Sequence, residues 1–220
     1  MVKVGLSKLS FTRQSPLGLL MLRVFGFTSR TRALADQIGH YWRYSGPINM
    51  IGGTDLATSL IEPDELFRFW SGKLRQQFIA SASDLAARLQ ALDITRDPDH
   101  RYRVNEFFCH DNTWQAAVKA LADNSAAVLM DLRTFGTQNR GCEFELEMLL
   151  GNVPLARVVL LIDGTTDIDA LSRALHTAWD KLPELSPNLL LSEPTIQLYR
   201  AQDSNALMPL LSSLYAATAA

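Results

Sequence analysis

The chain has 220 residues, 47% of them hydrophobic, with a formal net charge of −2 at pH 7 and a pI near 6.1. That content supplies a sizeable core and excludes a disordered chain, and the charge balance leaves no electrostatic footprint for nucleic acid. No stretch approaches the roughly 18 uninterrupted apolar residues of a membrane-spanning helix.

Residues 1–18 read as an N-terminal tail and 19–220 as a single α/β domain. The tail carries lysines, but Arg13 and Gln14 break it before any apolar core of signal-peptide length. It also fits the cut end of a longer, membrane-anchored chain, the one setting in which membrane association is expected. Leu19–Phe25 forms the first strand, closed by Gly26. Thr28 or Ser29 can cap the next helix, whose Leu34, Ile38, Tyr41 and Trp42 recur at helical spacing until Gly46-Pro47 stops it. Ile48–Ile51 is a short second strand. The Gly52-Gly53-Thr54-Asp55 stretch after it reads either as a phosphate-contacting loop without a P-loop lysine or as a tight turn.

Pro63 suits a first helical position, and Leu66, Phe67, Trp70, Leu74, Phe78 and Ile79 then trace an apolar face, either core or a partner-binding surface. Ser83 and Asp84 start a further helix bearing Leu85, Leu89 and Leu92. Tyr102–Cys109 is aromatic and extended. Asp111 or Asn112 caps a helix with Trp114, Val118 and Leu121. His110-Asp111 with Trp114 reads either as that cap with a packed aromatic or as a ligand-positioning cluster.

Ala126–Leu132 and Arg157–Ile162 are apolar on both faces, the pattern of a parallel sheet covered by helices. The Gly141–Gly151 helix lies between them. Beyond Asp163 comes a helix with Ile168, Leu171, Leu175 and Trp179, ended by Pro183, then a strand at Thr195–Tyr199 and a helix at Leu207–Tyr215. Alternating strands and helices predict a flavodoxin-like three-layer sandwich. Its five-stranded, mainly parallel sheet has the order 2-1-3-4-5, and a helical insertion at about 61–110 separates strands two and three. The ligand crevice then lies beyond the carboxyl ends of strands one and three, lined by Gly26–Arg30 and Leu132–Thr137.

On a helical wheel stepping about 100° per residue, Glu143 and Glu147 share one side of the Gly141–Gly151 helix, while Glu145 stands alone between Met148 and Leu149. A carboxylate among apolar groups has its charged form disfavoured unless a partner answers it. Glu145 therefore either faces a cleft or salt-bridges a neighbour such as Arg133 or Arg140. Cys109 and Cys142 fall in core elements and are expected as reduced thiols in a cytoplasmic protein. The four histidines lack ligand spacing, so no metal is expected. A Gly-x-Ser-x-Gly elbow is absent.

The run VLMDLRTFGTQNRGCEFELEMLL, followed by RVVLLID, resembles the TIR (Toll/interleukin-1 receptor) domains, in a divergent bacterial form closest to the plant-type pattern. Cys142, Glu145 and Leu146 match that pattern's cysteine, glutamate and leucine, with Gly141 in place of its tryptophan. LRVFGFTSRTRALADQI resembles the family's first strand and following loop, with Ser29 and Arg30 as the nearest matches. TWQAAVKALADNSAAVLMDL is similar to the helix leading into the third strand.

The resemblance covers roughly 19–58 and 111–165. It departs at the missing tryptophan, in a shorter first loop, and in the roughly 45 inserted residues. It implies one of two functions: hydrolysis of NAD at the nicotinamide–ribose bond with Glu145 as the catalytic carboxylate, or a non-catalytic signalling and oligomerising module. A related nucleotide-binding α/β protein is a third reading. In the first, NAD is substrate rather than cofactor. Phe27 stacks on a ring, and the amides of Gly26–Arg30, spanning Thr28 and Ser29, hold phosphates with Arg30 and Arg133. Gly53, Asp131 and Cys142 complete the expected site. Implied partners are a second copy or other TIR-like domains.

Overall fold

A computed structural model describes residues 15–23, 29–52, 78–110, 112–201 and 207–219. Within them lie seven strands and six α-helices, in the order β1 (Leu19–Arg23), α1 (Ser29–Trp42), β2 (Ile48–Gly52), β3 (Phe78–Ile79), α2 (Ala82–Gln90), β4 (Val104–Cys109), α3 (Trp114–Asp123), β5 (Ala127–Asp131), α4 (Arg140–Asn152), β6 (Val158–Ile162), α5 (Ile168–Asp180), β7 (Gln197–Arg200) and α6 (Leu207–Ala217). The strands form one sheet in the order β3-β4-β2-β1-β5-β6-β7, and every pairing is parallel.

Strand parity divides the core. Leu20, Leu22, Val128 and Met130 face a layer containing α2, α3, α4 and α5, whereas Leu19, Met21, Ala127 and Leu129 face α1 and α6. β5 and β6 are buried along their whole length, as strands covered on both faces must be. This is an α/β sandwich of flavodoxin-like layering, but the expected count of five and the order 2-1-3-4-5 are corrected to seven strands.

The reason lies in the insertion, expected to be helical. Phe78 and Ile79, assigned above to a helix face, form β3 instead, pairing with Phe108 and Cys109, and Val104–Phe108 pairs with β2. Phe107 and Cys109 go into the core, so aromatic and apolar residues carry the insertion into the sheet and satisfy its backbone there. The rest of the helix expected from Pro63 lies outside the described residues, as do Val24, Phe25 and Asp111. The cap expected at Asp111 or Asn112 falls instead to Thr113, which makes no side-chain cap bond. Its hydroxyl donates to the Ile79 carbonyl at 2.6 Å, tying α3 to β3. Ser81 caps α2 by accepting from the Asp84 amide.

Gly46 has a second role beyond stopping α1. A Cβ there would lie 1.9 Å from the Leu17 carbonyl oxygen, so only glycine admits the segment leading into β1. The same carbonyl accepts from the buried Trp42 indole at 2.9 Å.

Candidate functional site

Among the described residues the buried charged side chains, Asp131 and Asp163, lie at the carboxyl edge of β5 and β6. Arg23 ends β1 in register with Asp131 at the end of β5, and Asp163 follows β6. The strand order reverses across β1, since β2 lies on one side and β5 on the other, and in open α/β sheets ligands bind at such a switch point, here the carboxyl ends of β1 and β5.

Asp131 and Arg133 are committed to each other. Arg133 donates through Nε to Oδ1 at 2.8 Å and through Nη2 to Oδ2 at 2.6 Å, with the two side chains only 10% and 6% exposed. The paired carboxylate holds the guanidinium above its ordinary pKa despite its burial. Beyond the pair, Thr134 adopts φ 69°, a left-handed conformation uncommon for a β-branched residue and a form of strain that recurs at functional sites. The turn is closed by Phe135, fully buried, whose carbonyl accepts from the Asp167 amide at 2.9 Å, and by Asn139, whose Oδ1 accepts from the Gly136 amide at 2.8 Å.

Asp163 is answered by hydrogen bonds at one oxygen and by charge alone at the other. Thr165 donates to Oδ1 through its amide and hydroxyl, and Arg30 in the first turn of α1 meets Oδ2 at 2.5 Å. Burial alone would raise this carboxyl, but the Thr165 bonds and the Arg30 charge outweigh it and hold the carboxyl below its ordinary pKa. Arg30 itself is 53% exposed.

Glu145 differs. It projects from the second turn of α4, between buried Cys142 and Met148. The residue as a whole is half-buried, yet its Oε2 is enclosed and makes no hydrogen bond. Neither salt bridge considered from the sequence forms: Arg133 is bound to Asp131, and Arg140 makes no ion pair among the described residues. Loss of water pushes the carboxyl up to about 8, with Arg23 pulling weakly the other way. Cys142, one turn earlier, is a buried thiol outside any disulfide whose Sγ lies 4.0 Å from the Arg23 carbonyl, which sets α4 against the end of β1.

Of the residues singled out in the sequence, Arg30, Asp131, Arg133, Cys142 and Glu145 therefore lie at one sheet edge. Ser29 opens α1. Phe27, Thr28 and Gly53 lie outside the described residues. Sequence reasoning missed Arg23 and Asp163. The signals were there: Arg23 is the one charge in LLMLRVF, and Asp163 ends its apolar run as Asp131 ends the other.

Among the described residues, no three histidine, cysteine, aspartate or glutamate side chains come together to hold a metal ion, and no helix is long and apolar enough to cross a membrane. Comparison of the chain with protein-family models, characterised proteins and solved structures finds no match.

Proposed function

We propose that the protein is a TIR-like hydrolase that cleaves the nicotinamide–ribose bond of NAD, with Glu145 as the catalytic carboxylate. One observation carries the reading: at the topological switch point, α4 holds an enclosed carboxylate that the fold leaves without a hydrogen bond. A stabilising carboxylate of the core would be answered, as Asp131 is by Arg133 through both oxygens.

The chemistry fits such a group. The C1′–N bond breaks with both electrons passing to nitrogen, so nicotinamide departs neutral and needs no proton. Positive charge develops on the ribose, where a carboxylate in a dry site stabilises it far better than water does. Water then adds to C1′ and releases its proton to solvent. In the free protein Glu145 is mostly protonated at pH 7, because its pKa is about 8. The pyridinium of NAD favours the ionised form, which couples substrate binding to loss of the proton. Arg30, half exposed, is the cation placed to turn toward a phosphate, while Arg133 shapes the loop.

A second reading, an interaction module of the same fold, draws on the segment after α5. Asn188 is buried, donating to the Leu150 and Val153 carbonyls and accepting from the Leu155 amide. On the segment it pins, Leu185 and Leu190 are 97% and 95% exposed, a presentation suited to a partner surface.

NAD consumption by concentrated, purified protein separates the two, measured beside Glu145→Gln and Glu145→Ala. The hydrolase reading expects turnover that both folded variants lose. Turnover that survives in them removes Glu145 from the chemistry. No turnover, together with self-association in sedimentation that Leu190→Ser abolishes, supports the interaction module instead.

A further inference from the structure

On the solvent side of the helical layer, α4 and α5 leave a groove of about 360 Å³, within the range of small-ligand sites. Its floor is apolar. Ala170, Ala174 and Ala178 recur one turn apart along α5, and Phe144 of α4 faces them across the groove. Trp114 of α3 holds the Phe144 ring edge to face, with centroids 5.2 Å apart at 76°.

The rims are charged and unequal. At the end away from the first turn of α4, Lys181 and Glu147 are paired at 2.8 Å. At the first turn, Arg140 and Arg173 approach from the two helices, and neither guanidinium makes a hydrogen bond or ion pair among the described residues. Glu143 beside them is likewise unengaged. The dipole of α4 adds to the positive potential at its first turn. Two open guanidiniums, one open carboxylate and an aromatic ring thus line the same end of one groove. Guanidiniums match the oxygens of a phosphate. A lone carboxylate accepts from hydroxyls, and an aromatic–alanine floor receives a planar ring.

We propose that the α4–α5 groove is a second binding site, for a ring-bearing sugar monophosphate such as a nucleoside monophosphate. Arg140 and Arg173 take the phosphate, Glu143 takes the sugar hydroxyls, and Phe144 lies against the ring. Glu143 and Glu147 occupy one side of α4 and Glu145 another, so the groove is separate from the crevice and the inference stands without the hydrolase reading.

The test is calorimetric titration of the full chain with AMP and with inorganic phosphate. AMP is expected to saturate at or below about 1 mM. Arg140→Gln and Arg173→Gln should each weaken it at least about tenfold, roughly the loss of one charge-assisted bond. Both residues are exposed and unengaged, so the variants should melt with the wild type. Phe144→Leu should weaken AMP and leave inorganic phosphate unchanged. Glu145→Gln should alter neither. Absence of saturable AMP binding at millimolar concentration would overturn the proposal. So would binding indifferent to both arginine substitutions, or binding lost with Glu145→Gln, which would place the nucleotide in the crevice. Equal affinity for AMP and phosphate would remove the ring from the site.

Discussion

Two carboxylates stand near the same sheet edge under opposite electrostatics. Asp163 follows β6 with Oδ1 hydrogen-bonded by Thr165 and Oδ2 ion-paired with Arg30 but without a hydrogen bond, and its pKa lies below the ordinary value. Glu145 reaches the edge from α4 with Oε2 enclosed and unbonded, and its pKa rises to about 8. Both lose water; what separates them is whether the fold supplies donors in return. Asp163 is ionised and its charge is spent on holding α1 to β6. Glu145 holds nothing, which leaves its charge available to a ligand and makes it a cost to the folded state whenever it ionises.

The comparison breaks most severely if one partner of an answered pair is removed. Arg133→Ala strands the Asp131 carboxylate, which is 6% exposed, and should cost about 3–5 kcal/mol in a denaturant melt. A loss under 1 kcal/mol would mean that water replaces the guanidinium at no penalty and that the edge is wetter than described. Next in size is the effect on chemistry. Glu145→Gln keeps the shape and removes the charge, and should lower NAD turnover by about 10²–10³-fold. In the wild type, kcat/KM should rise with pH and level off near 8, because the free protein must lose a proton to become active. A profile flat from pH 6 to 9 would assign catalysis to another group.

Much of this contrast was legible in the sequence, and the reason is periodicity. Glu145 stands alone on the wheel of α4, away from the Glu143/Glu147 pair, and the apolar runs that end at Asp131 and Asp163 mark the carboxyl edge of the sheet. Pairing was not legible. Arg133 looked free to meet either Glu145 or a phosphate, but a residue two positions from Asp131 in a tight turn reaches that carboxylate first. The insertion misled for a related reason. A two-residue strand such as Phe78–Ile79 carries no period of its own, and only its pairing with Phe108 and Cys109 defines it. The tie from Arg30 to Asp163 spans more than a hundred residues of chain, and no local pattern encodes it.

Stability as a function of pH sharpens the contrast further, since the two carboxylates should pull in opposite directions. Glu145 has a folded pKa of about 8 against 4.5 ordinarily, so between those values the folded state holds the extra proton. Stability then falls as pH rises through that window, by about 1.4 kcal/mol per unit from this group. Glu145→Gln should flatten the decline, with its advantage greatest near pH 8 and absent near pH 4. An equal advantage at both would mean the gain comes from packing.

Asp163→Asn should give the smallest effect and the opposite slope. The folded pKa of Asp163 is lowered, so its contribution is complete above 3.8, the ordinary value, and disappears as pH falls through the folded pKa. Because Arg30 is half exposed, the ion pair is worth only about 1 kcal/mol, and salt should weaken it. Asparagine keeps an oxygen for Thr165, so what the variant loses is the charge toward Arg30. The difference from wild type should be full at pH 7, reduced in about 1 M salt, and lost as pH falls through the folded pKa. A difference that persists unchanged into acid and high salt would mean that asparagine weakens the Thr165 bonds themselves, and that Arg30 already stands free of Asp163 in solution. In that case the two carboxylates would differ in hydrogen bonding alone, and α1 would be held at this edge by the packing of Leu34, Ile38 and Trp42 rather than by charge.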